Sequence, residues 1–189
     1  MSATVLAPGR SVVLLRHGSA GKRRSWEGDD RDRPLDRHGR AQARALGPHL
    51  APHLGPDPLV LTSPFVRCVT SVEPMVEARG GRLVTDDRLA EVMAPFRSDD
   101  GWPDAAWLGG RALAALEDAC ERTDADVVVC SHGEVLPALL AALAAREGFA
   151  VPGSLDLSRK RLPKGAAWCL RAIDGVQVSE LSPPATNVR

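Results

Sequence analysis

A guanidinium and an imidazole, groups that can bind an anion and exchange a proton, stand at the end of the first apolar run of the chain. Residues 12–15 are aliphatic without polar alternation, which is typical of a strand buried on both faces of a parallel sheet. Arg16 and His17 follow directly, and Gly18 permits a sharp turn of the backbone. Because ligands of open α/β sheets bind just beyond the carboxyl ends of strands, the pattern predicts a binding site here.

Two further apolar runs end in the same kinds of side chain. Residues 59–61 are followed by Arg67, which falls in the first turn of the next predicted helix. Residues 127–130 are followed, after one serine, by His132. If the three strands run parallel, their carboxyl ends meet at one edge of the sheet. The sequence therefore predicts one site made of two guanidinium groups and two imidazoles.

The order of these motifs resembles the histidine phosphatase superfamily, which has the phosphoglycerate-mutase-like fold. The signature of that family is Arg-His-Gly at the end of the first strand, present here as residues 16–18. The resemblance spans roughly residues 12–143 and also rests on residues 35–43, 63–67 and 131–133. The loop after His17 and residues 162–165 look most like the small bacterial phosphohistidine phosphatases and the phosphatase domains fused to Nudix hydrolases.

The resemblance implies a metal-independent phosphatase that works through a phosphohistidine. His17 is expected to be the nucleophile. Arg16 and Arg67 are expected to clamp the phosphate, because a planar guanidinium binds two oxygens and stays charged. His132 is expected to hydrogen-bond the phosphoryl oxygens as they gain charge. We expect no cofactor and no metal, and the substrate is expected to be a phosphorylated small molecule, a nucleotide or a phosphohistidine protein.

Glu91 is the candidate for the general acid that protonates the leaving group. In larger members of the family a glutamate follows a leucine at the corresponding place, as Leu89 precedes Glu91 here. The smallest members manage without this acid, since a phosphoramidate leaving group is already good. Asp86 and Asp87 could serve instead, and a solvated loop residue remains an equal interpretation of Glu91.

The loop after His17 carries a short basic run. Lys22, Arg23 and Arg24 precede Trp26, so the run could reach a second phosphate or an acidic protein surface, with the indole offering a ring for stacking. The alternative is a solvated charged face, which is the usual meaning of such a run. We take these three cations as candidate substrate-binding residues.

Composition narrows the class of protein. The formal net charge is zero, which argues against a partner among nucleic acids and against a membrane surface. The N-terminal stretch lacks a basic region followed by an apolar core, so we expect a cytoplasmic protein. The cysteines form no Cys-x-x-Cys pair and are expected to pack as small apolar side chains: Cys68, Cys120, Cys130 and Cys169.

Apolar runs alternate with helical patterns, which predicts an α/β fold, a three-layer α/β/α sandwich around a mostly parallel sheet. We expect one domain over residues 1–189, with flexible tails at 1–10 and 182–189. The predicted helices cover about 36–50, 64–78, 103–122 and 134–146, and residues 93–101 are expected to form a loop. The predicted strands cover 12–15, 59–62, 82–85, 126–130, 166–172 and 176–181, the last two joined at Asp174-Gly175.

Two alternatives to a phosphatase stay open. A phosphoglycerate-mutase-type phosphotransferase would return the phosphate to a second position of its substrate, but the interval between Glu91 and Ser131 looks short for the insertion that family mutases carry. A non-catalytic phosphate-binding or partner-binding module would keep the fold. The presence of all four pocket residues weighs against such a module.

Overall fold

Six strands and four α-helices form the described part of the chain, which comprises residues 4–93, 101–151 and 162–186 of a computed structural model. The helices are α1 (Arg37–Leu50), α2 (Val66–Arg79), α3 (Trp102–Cys120) and α4 (Val135–Glu147). The strands are β1 (Ser11–Arg16), β2 (Leu59–Thr62), β3 (Arg82–Thr85), β4 (Val127–Ser131), β5 (Ala167–Ala172) and β6 (Val176–Leu181). Every predicted strand and helix is present.

The strands form one sheet in the order β3-β2-β4-β1-β5-β6. The first four strands run parallel, β5 is antiparallel to β1, and β6 is antiparallel to β5. The sheet is therefore mostly parallel, as predicted. Arg16 of β1 pairs with Ser131 of β4, so the residues that follow, His17 and His132, leave the sheet side by side.

Alternate residues of the central strands pack on opposite faces of the sheet, which explains why these strands are apolar throughout. Val12 and Leu14 belong to the apolar cluster that includes α3 and α4. Val13 and Leu15 belong to the cluster that includes α1 and α2. Two helices thus cover each face, and the predicted three-layer α/β/α sandwich is confirmed.

Some element ends differ from the prediction. Asp36 caps α1 as expected, because its Oδ1 accepts a hydrogen bond from the Gly39 amide over 2.8 Å. Helix α2 begins at Val66 rather than near Pro64, and the carbonyl of Phe65 accepts from the first helical amides. Pro64 therefore precedes the helix instead of lying in its first turn. Most of the predicted loop at 93–101 lies outside the described residues.

The two stretches expected to be flexible tails contain packed residues. Val5 and Leu6 are buried in the apolar cluster beside α3 and α4. Pro184 is also buried, in contact with the region around Gly18 and Gln42. Hydrophobic burial outweighs the turn-rich composition at both places. Among the described residues, no helix is long and apolar enough to cross a membrane.

Candidate active site

The two histidines meet at the carboxyl edge of β1 and β4. Their ring centroids are 5.4 Å apart, and the planes meet at 66°. His17 is 4% exposed and His132 is fully buried. The in-register pairing of β1 with β4 fixes this approach, because the His17 amide also donates to the Ser131 carbonyl over 3.1 Å.

The hydrogen bond made by His17 determines which of its ring nitrogens carries the proton. Nδ1 lies 2.7 Å from the carbonyl oxygen of Gly18, an acceptor, so Nδ1 bears the hydrogen and Nε2 keeps its lone pair. Burial, and then the positive charges of His132, Arg67 and Arg16, hold the pKa of His17 well below its ordinary value. His17 is therefore a neutral imidazole with one unprotonated nitrogen.

Arg16 lies against the backbone that follows His132. A Cβ at Gly133 would stand 2.8 Å from Cζ of Arg16, so any other residue here would require the guanidinium to shift from this position. Nη1 of Arg16 donates to the Leu162 carbonyl over 2.6 Å. The glycine of the Ser131-His132-Gly133 motif thus has a steric role, which is to let a cation approach the second histidine.

Arg67 is fully buried in the first turn of α2. Its Nη1 donates to the Asp30 carbonyl over 2.6 Å, and its Nη2 donates to Oδ2 of the same residue over 3.0 Å. The guanidinium also lies 4.7 Å from the ring centroid of Phe65. The charge is thus compensated by a carboxylate from the loop after β1, and its direction is fixed on two sides.

His132 is held through both ring nitrogens. Nε2 lies 2.9 Å from Oγ of Ser63 and 3.5 Å from Sγ of Cys68, while Nδ1 lies 3.3 Å from Oε2 of Glu91. Burial opposes the charged ring, yet its contacts with Cys68 and Glu91 raise the pKa of His132 above its ordinary value. Burial raises the pKa of the Cys68 thiol, so the thiol is neutral and Glu91 supplies the negative charge.

Glu91 joins this cluster from the segment after β3. Its Oε2 lies 3.4 Å from Nη2 of Arg67 as well as 3.3 Å from Nδ1 of His132. The hydrogen bond from His132, together with the charges of His132 and Arg67, lowers the pKa of Glu91 to about 2. The carboxylate is therefore ionised, which is the opposite of the state a proton donor needs.

The alternative acids after β3 are engaged elsewhere. The Asp86 carboxylate accepts hydrogen bonds from the guanidinium and the backbone amide of Arg88, and the guanidinium lowers the pKa of Asp86. Asp87 forms an ion pair with Arg31 over 3.2 Å. Of these three acidic residues, Glu91 is therefore the one whose carboxylate contacts a histidine of the site.

The basic run after β1 is exposed. Arg23 approaches the site, since its Nε lies 3.7 Å from Oδ1 of Asp30, the residue that also holds Arg67. Lys22 lines a pocket next to the loop, and Arg24 is exposed on the same short 3-10 helix. The contacts therefore link Arg23 to the residue that holds Arg67, and they place Lys22 at the neighbouring pocket. Within the described ranges, no group of three potential ligands that could hold a metal ion is found.

Three contributors to the site escape sequence reasoning. Ser63 belongs to a recognised motif, but its bond to His132 was not foreseen. Lys164 donates to the Gly21 carbonyl over 3.2 Å and so lies across the loop from β1. Asp30 follows Asp29 in a charge-rich loop, and nothing in that local pattern distinguishes one from the other.

Comparisons with known proteins agree with this geometry. The model of the histidine phosphatase superfamily (branch 1) matches residues 12–96. This match confirms the resemblance to the histidine phosphatase superfamily over residues 12–96. It is similar to an 8-oxo-(d)GTP phosphatase of Mycolicibacterium smegmatis, with 29% identity over 184 residues, 93% of this chain and 49% of that protein. The chain thus spans about half the length of this curated relative.

Solved structures share the fold. YhfR of Bacillus stearothermophilus superposes with a TM-score of 0.67 at 18% identity, covering 94% of this chain and 98% of that one. A protein named as a phosphohistidine phosphatase of the SixA type, from Nakamurella multipartitia, superposes with a TM-score of 0.65 at 22% identity, covering 95% and 99%. At these identities the similarity shows the architecture.

Proposed function

We propose that this chain is a metal-independent phosphatase that hydrolyses a phosphomonoester or a phosphoramidate through a phosphohistidine on His17, acting as one domain over residues 1–189. One observation carries the proposal. The Nδ1 hydrogen of His17 is committed to the Gly18 carbonyl, so an unprotonated Nε2 remains in a buried site beside His132 and two arginines. The match of residues 12–96 to the histidine phosphatase superfamily supports it.

The reaction has two steps. Nε2 of His17 attacks phosphorus, the bond from phosphorus to the leaving group breaks, and its electron pair departs with that group. Water then attacks the phosphohistidine, the N–P bond breaks, and inorganic phosphate leaves while His17 recovers its lone pair. Arg16, Arg67 and His132 hold the three phosphoryl oxygens as charge develops on them, which is where most catalysis of phosphoryl transfer originates.

Glu91 contacts two of the groups that would hold the phosphoryl oxygens. Its Oε2 contacts Arg67 and His132, the same two groups that would bind the substrate. An arriving dianion therefore displaces Glu91 from its cations and adds negative charge nearby, and both changes raise the pKa of Glu91. For a poor leaving group this displacement prepares Glu91 to donate a proton, whereas a good leaving group needs no donor.

The comparison adds a substrate class. The similar mycolicibacterial protein is named an 8-oxo-(d)GTP phosphatase, which makes a nucleotide a candidate beside a sugar phosphate and a phosphohistidine protein. All of these present the same phosphoryl group to the four pocket residues. Selectivity among them therefore depends on the surroundings of the leaving group.

The test measures phosphate release from 4-nitrophenyl phosphate, a nucleotide and a phosphohistidine-bearing protein, each with and without a chelator. We expect turnover of at least one substrate, insensitivity to the chelator and loss of at least about 1,000-fold in His17→Ala. Rapid quenching at alkaline pH with labelled substrate should trap a phosphohistidine. Full turnover by His17→Ala would refute the mechanism, and an isomerised product without phosphate release would indicate a mutase.

A further inference from the structure

A pocket of about 220 Å³ lies in the loop between β1 and α1. Its wall begins at Ala20, three residues after His17, and includes Lys22, Trp26 and Arg33. Arg33 connects this pocket to the phosphate clamp. Its Nη1 donates to the Ala20 carbonyl over 2.6 Å, and its Nε donates over 2.7 Å to Asp30, the residue that holds Arg67. The pocket and the clamp therefore share one buried wall.

Trp26 offers a fixed aromatic surface to this pocket. The side chain is 38% exposed, although an indole is normally buried in a folded protein. Its Nε1 donates to the Asp29 carbonyl over 2.8 Å, which fixes the ring. A Cβ at Gly28 would stand 3.1 Å from the ring, so the backbone passes closely over it. An exposed ring held in this way suits the stacking of a planar group, such as a nucleobase.

Two lysines lie at this pocket or beside it. Lys22 lines it, and Lys164 donates over 3.2 Å to the carbonyl of Gly21, a lining residue. Burial, together with the charges of Arg16 and Arg33, lowers the pKa of Lys164. The carboxylate of Asp36 lines the same pocket, but it already accepts hydrogen bonds from the Ser19 hydroxyl and two backbone amides. A second anionic group of the substrate would find its charge partners here.

A leaving group that departs as a stable anion does not depend on a proton from Glu91, which is held ionised by its contacts with His132 and Arg67. A nucleoside monophosphate is such a group, because its terminal phosphate carries a second pKa of about 6.

We propose that the natural substrate class is a nucleoside diphosphate, with its α-phosphate at Lys22 and Lys164 and its base stacked on Trp26. This inference rests on the proposed function. Nε2 of His17 attacks the β-phosphorus, the bond to the bridging oxygen breaks, and the nucleoside monophosphate leaves with that electron pair. Water then cleaves the N–P bond and releases inorganic phosphate.

The experiment compares kcat/KM for ADP and GDP, for inorganic pyrophosphate and for 4-nitrophenyl phosphate. Pyrophosphate has the second anionic group without a base, and 4-nitrophenyl phosphate has neither a second phosphate nor a nucleobase. We expect Trp26→Ala to lower kcat/KM about tenfold for the nucleoside diphosphates alone. Lys22→Ala and Lys164→Gln should each lower it about tenfold for the nucleoside diphosphates and pyrophosphate, leaving 4-nitrophenyl phosphate within twofold.

Two matched substitutions serve as controls. Trp102→Ala removes a tryptophan that is 68% exposed on α3, and Arg44→Ala removes an exposed cation from α1. Neither should change any of the four rates by more than twofold. Equal losses on 4-nitrophenyl phosphate in Trp26→Ala would overturn the subsite, since a general disturbance of the loop would then explain them.

A second measurement separates failure of this inference from failure of the proposed function. Calorimetry with ADP on the His17→Ala protein reports binding without turnover. Binding that weakens about tenfold on adding Trp26→Ala supports the subsite even if no hydrolysis is seen. Turnover of 4-nitrophenyl phosphate without binding or turnover of ADP and GDP would overturn the subsite while leaving the phosphatase intact.

Discussion

The site at the strand ends and the loop at residues 19–36 carry similar charges but hold them in different ways. His17, Arg67 and His132 are between 0 and 4% exposed, and each is fixed by a strand end or a helix start and by hydrogen bonds to buried groups. Lys22 and Trp26 in the loop are exposed. The protein itself therefore fixes the positions of the side chains in the strand-end site, as electrostatic catalysis requires.

This difference suggests that the two regions contribute to different kinetic parameters. A buried, hydrogen-bonded residue acts on the phosphoryl group that every substrate shares. An exposed loop residue acts on the part of the substrate that differs. Substitutions at the strand ends should therefore lower the rates for all substrates alike, and substitutions in the loop should change their ranking.

The largest effect is expected from Arg67→Lys. A lysine offers a point charge in place of two parallel N–H donors, and its ammonium would compete for the same Asp30 that now accepts both guanidinium nitrogens. We expect kcat/KM to fall at least about 100-fold, equally for esters, anhydrides and phosphoramidates. Steady-state kinetics on the three substrate types measures this.

Arg79→Lys is the matched control for that substitution. Arg79 lies at the other end of α2 and donates to the Leu54 and Gly55 carbonyls, far along the helix from Arg67. Its replacement should leave the rates within twofold. If Arg67→Lys retained activity, or lost it on one substrate type alone, Arg67 would not be the group that binds the phosphoryl group of every substrate.

The next effect depends on the leaving group. Glu91→Gln keeps the shape of the side chain and removes its charge and its proton. We expect a loss of about 100-fold on an alkyl phosphate, where the proton is needed, and a change of a few fold on a nucleoside diphosphate. Asp87→Asn, a neighbouring residue paired with Arg31, is the control and should change neither. Equal losses on both substrates would assign Glu91 to binding rather than to proton donation.

The strand-end region could be predicted from sequence to a greater extent than the loop. Buried strands appear as uninterrupted apolar runs, and Arg16 and His17 directly follow one, so their position required no knowledge of tertiary structure. The register that brings His132 beside His17 is a property of the pairing between β1 and β4, which local pattern does not encode. The family motif supplied that information.

The loop could not be predicted because its contacts are tertiary. Asp30 lies 37 residues before Arg67, and the choice between Asp29 and Asp30 depends on the path of a 3-10 helix. The same limit applied to the start of the chain, where Val5 and Leu6 pack in the core although the stretch was predicted to be flexible. In both cases partners distant in sequence decide the outcome.

A smaller effect concerns the protonation of the two histidines. The pKa of His17 is lowered by burial and positive neighbours, and the pKa of His132 is raised by Cys68 and Glu91. At pH 6.5 we therefore expect His17 to be neutral and His132 to be mainly protonated, which ¹⁵N NMR of the rings resolves. Glu91→Gln removes an acceptor and a negative charge, so it should lower the pKa of His132. Identical titrations of both rings near 6.5 would contradict the hydrogen-bond assignments.

The smallest loss of activity is expected from substituting Asp30, the residue that connects the loop to the strand-end site. Asp30 is 16% exposed at its side chain and accepts from Arg33 over 2.7 Å and from Arg67 over 3.0 Å, so it ties the loop to the clamp. Asp30→Asn keeps one acceptor oxygen and loses the charge. We expect kcat/KM to fall about fivefold on every substrate, because Arg67 is less firmly directed, and protease cleavage within the loop to become faster.

Arg23→Ala is the control for this substitution. It removes a second partner of the Asp30 carboxylate, a side chain that is 78% exposed and 3.7 Å away, and it should change either measurement by less than twofold. If Arg23→Ala matched Asp30→Asn, the exposed ion pair would be as important as the buried one, and the division between a preorganised site and an adaptable loop would fail at this residue.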